Sequence, residues 1–105
     1  MHDWLGETAV RRAAKVDANQ TQVVTALRAA GAVVHSLAAV GEGVPDLLVA
    51  FRGQTMLMEI KDGSLSQSRR ALTPAQVDFH KAWTGGPLSI VDGPDAALRA
   101  LGCIK

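Results

Sequence analysis

The 105 residues predict one α/β domain, a mixed central sheet flanked by helices. Three observations lead there. The length gives one domain at roughly 100 to 200 residues each. Apolar residues at 48% and charged residues at 20% are enough to build a core and argue against disorder. Gly, Pro and cap residues then divide the chain into the order helix, three strands, helix, strand, helix. Three consecutive strands followed by an α-to-β return require a mixed sheet with helices packed on it, an αβββαβ core.

Residues 1–16 show weak periodicity and carry Arg11, Arg12 and Lys15. They read as an N-terminal arm, either solvated or in contact with a polyanion, ahead of a single domain over residues 17–105. Asn19 is a candidate N-cap with Gln22 as its capping-box partner, and Val23, Val24, Leu27 and Ala30 follow helical spacing until Gly31. Residues 32–37 are β-branched and predict a strand, and residues 41–45, with Gly41, Gly43 and Pro45, a flexible turn. A second strand follows over 46–51, a hairpin turn at Arg52, Gly53 and Gln54, and a third, antiparallel strand over 55–61. Residues 62–70 are polar and predict a loop.

Thr73, Pro74 and Gln76 form a strong helix start: Thr as N-cap, Pro at the first helical position, Gln as the capping-box return. That helix is expected to end near Trp83 or Thr84, before Gly85 and Gly86. A fourth strand over 88–91 and a last helix from Pro94 through Leu101, closed by Gly102, complete the order.

Several function classes are excluded early. Eleven Lys and Arg against ten Asp and Glu give a net charge of +1, unlike a polybasic nucleic-acid coat. The lone Cys103 cannot form an intramolecular disulfide and reads as a small packed residue in a reducing, cytoplasmic compartment. His2, His35 and His80 lack zinc-site spacing. No run of about 18 apolar residues and no signal-peptide pattern is present, so no membrane partner is expected.

The residues that carry chemistry stand at one end of the central hairpin. Side chains alternate along a strand, so Glu59 and Lys61 share a face about 7 Å apart while Ile60 points the other way. Asp46 lies before Gly53 by seven residues and Glu59 after it by six, so both carboxylates meet at the same hairpin end, with Asp46 expected opposite Lys61 or Asp62. Burying such charges costs several kcal/mol unless they pair or bind a metal. Mg²⁺ takes oxygen ligands and keeps several waters, so two carboxylates and a backbone carbonyl suffice to hold it. The bound cation would activate water and neutralise a phosphodiester, with Lys61 orienting the water or stabilising the transition state. The plain alternative is a surface salt bridge between Lys61 and Asp46 or Glu59, worth roughly 0 to 1 kcal/mol.

Gly43, Val44, Pro45, Asp46, then Glu59, Ile60, Lys61, together with the αβββαβ order, resemble the signature of the PD-(D/E)xK nuclease superfamily. Arg11, Arg12 and the segment Leu72, Thr73, Pro74, Ala75, Gln76 with Phe79, His80 and Trp83 most resemble VRR-Nuc-like and phage-type nucleases, related to Holliday junction resolvases. The resemblance covers about residues 17 to 101. It implies a restriction-endonuclease-like fold and a Mg²⁺-dependent endodeoxyribonuclease, with Mn²⁺ able to substitute. By it Asp46 and Glu59 bind the metal, the Ile60 carbonyl completes the site and Lys61 is the catalytic lysine. It also implies DNA as partner, branched or flap DNA and Holliday junctions among the substrates, and a phage or mobile-element setting. A homodimer would place two sites on two strands.

The chain departs from the pattern at Gln22. Family members often contribute a glutamate from the first helix, and a neutral amide adds no charge to the metal. Gln22 and Gln76 are each readable as a capping partner or a site residue. His80, one helical turn beyond Gln76, is either a packed histidine or a group reaching a phosphate, and Trp83 reads as core rather than a base-stacking platform. Arg69 and Arg70, with Arg11 and Arg12, are candidates for DNA backbone contact. Two other classes stay open: a catalytically weakened DNA-binding or assembly module with the same fold, and a protein-interaction domain with a fortuitous charge cluster. If a cation neutralises Asp46 and Glu59, eleven basic residues face eight remaining acidic ones, and the near-neutral balance no longer argues against DNA.

Overall fold

The computed structural model describes residues 18–61 and 71–104. Helix α1 (Ala18–Ala29) leads to strands β1 (Val33–Ser36), β2 (Leu47–Phe51) and β3 (Gln54–Ile60). Helix α2 (Pro74–Ala82), strand β4 (Leu88–Val91) and helix α3 (Pro94–Leu101) follow. The predicted element order holds throughout, and the molecule is an α/β domain with a four-stranded mixed sheet flanked by helices.

The sheet runs β1-β2-β3-β4, its first two pairings antiparallel and the last parallel. β1 is an edge strand. The β2–β3 hairpin closes through two residues only, Arg52 and Gly53, at φ of 49° and 79°. Positive φ at both positions is the turn whose twist matches that of the flanking strands, and Gly53 supplies the second at no steric cost. The turn sets the register at Phe51↔Gln54 through Leu47↔Met58, and one step further Asp46 falls opposite Glu59. The expectation that Asp46 would oppose Lys61 or Asp62 is therefore corrected by two or three positions toward the turn. β3 and β4 are parallel and adjacent, so the chain between them must cross the sheet, and α2 lies in that crossover.

Alternation gives the sheet two unlike faces. Val34, Leu47, Val49, Met56, Met58 and Val91 point to one side and form a continuous core with Val23 and Leu27 of α1 and Ala97 of α3. Ile60 packs against this core, as its opposition to Glu59 and Lys61 requires. The other face carries Leu48, Leu57, Glu59, Leu88 and Ile90, and α2 reaches it through Gln76.

Two expectations about single residues are overturned here. Asn19 is not the N-cap of the first helix; it lies inside α1, and its Nδ2 donates to the carbonyl of Asp92 at 3.3 Å, tying α1 to the turn before α3. Cys103 is exposed rather than packed, because Gly102 at φ 88° ends α3 and turns the chain outward.

Leu27 is fully buried between α1 and the sheet. Leu27→Ala is expected to destabilise the domain by about 2 to 5 kcal/mol. Thermal denaturation should then show a midpoint at least about 8 °C lower. A change of only a degree or two would mean that the α1–sheet core is not where the stability resides.

Candidate active site

The site is built where the hairpin ends and the first turn of α2 comes down on it. Asp46 precedes β2, and its Oδ2 accepts a hydrogen bond from the backbone N–H of Ile60 at 2.7 Å. The side chain thus takes the place of a ladder carbonyl at the end of the hairpin, which fixes the carboxylate beside Glu59. Beyond Ile60 the strand continues on its other side only, with the Lys61 N–H donating to the Val91 carbonyl at 2.9 Å.

Glu59 is the unusual residue. Its side chain is 2% exposed, and it is the buried charged residue of the described chain. Oε2 accepts from Gln76 Nε2 at 3.2 Å, whereas Oε1 is buried without a partner. Burial, then the hydrogen-bonding proximity and negative charge of Asp46, push its carboxyl from the usual 4.5 up to about 8, against a smaller opposing pull from Lys61. Two carboxylates side by side have acceptors only, so the pair must take up a proton or a cation to satisfy Oε1.

Gln76 joins the parts. Its Oε1 accepts from Lys61 Nζ at 2.9 Å and from the Thr73 N–H at 2.9 Å, and its own N–H donates to Thr73 Oγ1 at 3.2 Å. Two donors on Oε1 leave Nε2 to point at Glu59, so the orientation of the amide is fixed by the network. The cap reading of Gln76 is realised, and the amide of the capping box that starts α2 also bridges Glu59 and Lys61. Lys61 is not ion-paired with either carboxylate, which corrects the salt-bridge alternative; its ammonium is held by a neutral amide.

The remaining sequence candidates divide. Gln22 is exposed on α1, a helix that packs against β1 and α3 on the opposite face, and it makes no hydrogen bond to the cluster. His80 is half-buried, and its Nε2 is buried without a partner, so it too stays outside the hydrogen-bonded group. Trp83 is not core: at 38% exposure it stacks on Phe79 with centroids 5.6 Å apart, and its Nε1 donates to the Gly86 carbonyl at 2.7 Å. Gly85 sits so close to the Trp83 ring that an added Cβ would stand 2.4 Å from a ring carbon. The indole thus braces the turn after α2. Arg11, Arg12, Arg69 and Arg70, and Asp62, lie outside the described residues.

Among the described residues no group of three or more His, Cys, Asp and Glu side chains converges, so a cation here would have Asp46 and Glu59 as its carboxylate ligands. The donor set still fits a hard divalent cation: two adjacent carboxylates, one with an orphaned buried oxygen. Mg²⁺ is commonly held by one or two carboxylates with water and substrate phosphate filling the other positions. The Ile60 carbonyl, implied as a further ligand, belongs to the residue whose N–H anchors Asp46.

No family model, no curated protein and no solved structure matches the chain. Among the described residues no helix is long and apolar enough to cross a membrane.

The raised carboxyl makes stability depend on pH. Between the usual 4.5 and about 8, folded Glu59 keeps a proton that the unfolded chain has released, so metal-free protein should lose stability as pH rises through that window and level off above it. Melting temperatures of wild type and Glu59→Gln from pH 5 to 9 without divalent metal check this. The variant should lack the downward trend and melt above wild type at pH 9. Parallel curves would remove Glu59 as the titrating group.

Proposed function

We propose that this chain is a Mg²⁺-dependent endodeoxyribonuclease with the restriction-endonuclease-like architecture of the PD-(D/E)xK superfamily. The observation that carries the reading is the orphaned Oε1 of buried Glu59 beside Asp46, with Lys61 next on the same side of the strand and held by an amide. In an ordinary charge cluster the ammonium would neutralise the carboxylates. Here the Lys61 ammonium is held by the Gln76 amide instead, and no side chain among the described residues donates to Glu59 Oε1.

Asp46 and Glu59 would hold the metal, which when bound lowers the pKa of a coordinated water and neutralises charge on the phosphodiester. Asp46 is oriented by the Ile60 N–H, so one ligand is set by the strand itself. Gln76 holds the Lys61 ammonium and Glu59 through one rigid amide, which fixes the distance between the positive group and the metal ligand. Lys61 is then placed to orient the attacking water or to stabilise the negative charge that builds on the phosphorane. Arg11, Arg12, Arg69 and Arg70 are the proposed backbone contacts, and a homodimer acting on branched DNA would bring two such sites to two strands.

A second reading, a DNA-binding or assembly module that has lost catalysis, is favoured by one observation. Gln22 is exposed and adds neither charge nor a hydrogen bond to the site, which leaves two carboxylates where family members often have three.

Cleavage of supercoiled plasmid and of a four-way junction in Mg²⁺ or Mn²⁺ tests both. Wild type should cut, and Asp46→Asn, Glu59→Gln and Lys61→Ala should each lower the rate by at least about 100-fold. A wild type that shifts branched DNA in a gel, with affinity falling as salt rises, yet cuts in neither metal supports the second reading. Variants that cut as fast as wild type would exclude the catalytic assignment.

A further inference from the structure

Helix α2 carries Gln76, and its apolar residues Val77 and Phe79 are only half-buried. A different contact meets its first turn. Gly41, Glu42 and Gly43, at φ of 73°, 58° and 79°, form a left-handed run closed by a hydrogen bond from the Val44 N–H to the Gly41 carbonyl at 3.1 Å. Three residues later the same loop delivers Asp46. At Gly43 the loop presses directly on the α2 backbone: an added Cβ would stand 2.3 Å from the Ala75 carbonyl oxygen, 2.4 Å from its carbon and 2.9 Å from the Gln76 nitrogen. These are backbone atoms of a capped turn, which cannot swing aside as the end of a flexible side chain can.

We propose that Gly43 is a positioning residue, whose bare Cα seats the first turn of α2 against the loop that carries Asp46 and so sets where the Gln76 amide meets Glu59 and Lys61. The proposal rests on reading those residues as the site, and it adds a steric device that the carboxylates and the lysine do not themselves provide. With the seat filled by a methyl, α2 must move off the loop. The Thr73–Gln76 capping box can travel with the helix, because both partners belong to it, but the bonds from Gln76 to Glu59 and Lys61 span the gap and must lengthen.

Gly41 provides the matched control. It has the same left-handed backbone, yet nothing lies within 4 Å of a Cβ added there. Gly41→Ala therefore carries the conformational strain of a left-handed alanine without the clash. The measurement is solvent exchange of the Gln76 side-chain amide protons by NMR in the full chain. Gly43→Ala should exchange roughly tenfold faster than wild type, the factor that loss of one hydrogen bond can carry, while Gly41→Ala stays near wild type. Equal exchange in the two variants, or no change in Gly43→Ala, overturns the proposal.

Should Gly43→Ala fail to fold, Gln76→Ala decides instead. If Gly43 seats the helix, the backbone N–H of Val77, bonded to the Thr73 carbonyl at 2.9 Å, loses no more protection in Gln76→Ala than in Thr73→Ala, which breaks the capping box but leaves the Gln76 bonds to Glu59 and Lys61. A further loss in Gln76→Ala would mean that Gln76 holds the helix and Gly43 does not. In cleavage assays Gly43→Ala should lower kcat as far as Gln76→Ala with KM unchanged, and the double variant should lose no more than either. A wild type without cleavage would refute the nuclease reading and leave the amide exchange to judge Gly43.

Discussion

A carboxylate that is 2% exposed, stands beside a second carboxylate and has one oxygen without a donor is the constraint from which the rest of this domain follows. An uncompensated buried charge costs several kcal/mol, a large part of the stability that a domain of this size has. A proton on Glu59 removes the charge and gives the pair a donor. A divalent cation held by Glu59 and Asp46 would remove the repulsion without the proton. The two solutions would compete for the same oxygens, so under the proposed reading metal affinity, protonation and folding stability would be linked at one position.

The two faces of the sheet are built differently. Val23, Leu27, Val49, Met58 and Ala97 are buried on the face covered by α1 and α3, and they carry the hydrophobic stabilisation. On the other face no residue of α2 is itself buried, and the helix meets the sheet through the Gln76 amide and the Asp46 loop at Gly43. A polar frame holds Glu59 and Lys61 in a fixed relation where an apolar one would have to leave their charges unsatisfied. The cost of burying a carboxylate on one face is offset by the packing on the other.

Much of the fold was legible because local signals and tertiary structure agree. Thr73, Pro74 and Gln76 mark the start of α2, Gly102 marks the end of α3, and the alternation through Met58, Glu59, Ile60 and Lys61 separates core from site. That Asp46, Glu59 and Lys61 lie at one end of the hairpin was legible, their geometry less so. The hairpin closes in two residues rather than the three expected because Arg52, which is not a glycine, adopts a left-handed conformation that sequence does not announce; this moves the register by one position, part of the difference between the expected and the observed partner of Asp46. Asn19 was misread as a cap because its amide is used in a tertiary bond to Asp92. Trp83 was misread as core because its ring braces an exposed turn through Gly86. The double use of Gln76 could not be read from spacing alone, since the bonds to Glu59 and Lys61 depend on how α2 docks.

The central claim, that Glu59 and Asp46 can bind a divalent cation, is tested most directly by titrating the metal-free protein with Mg²⁺ in a calorimeter at pH 7, in two buffers of different ionisation enthalpy. With the Glu59 carboxyl near 8, the account predicts saturable binding that releases close to one proton per metal, and no such release from Glu59→Gln. Binding without proton release, or no binding at Mg²⁺ concentrations up to the millimolar range that weak hard-cation sites require, would contradict it.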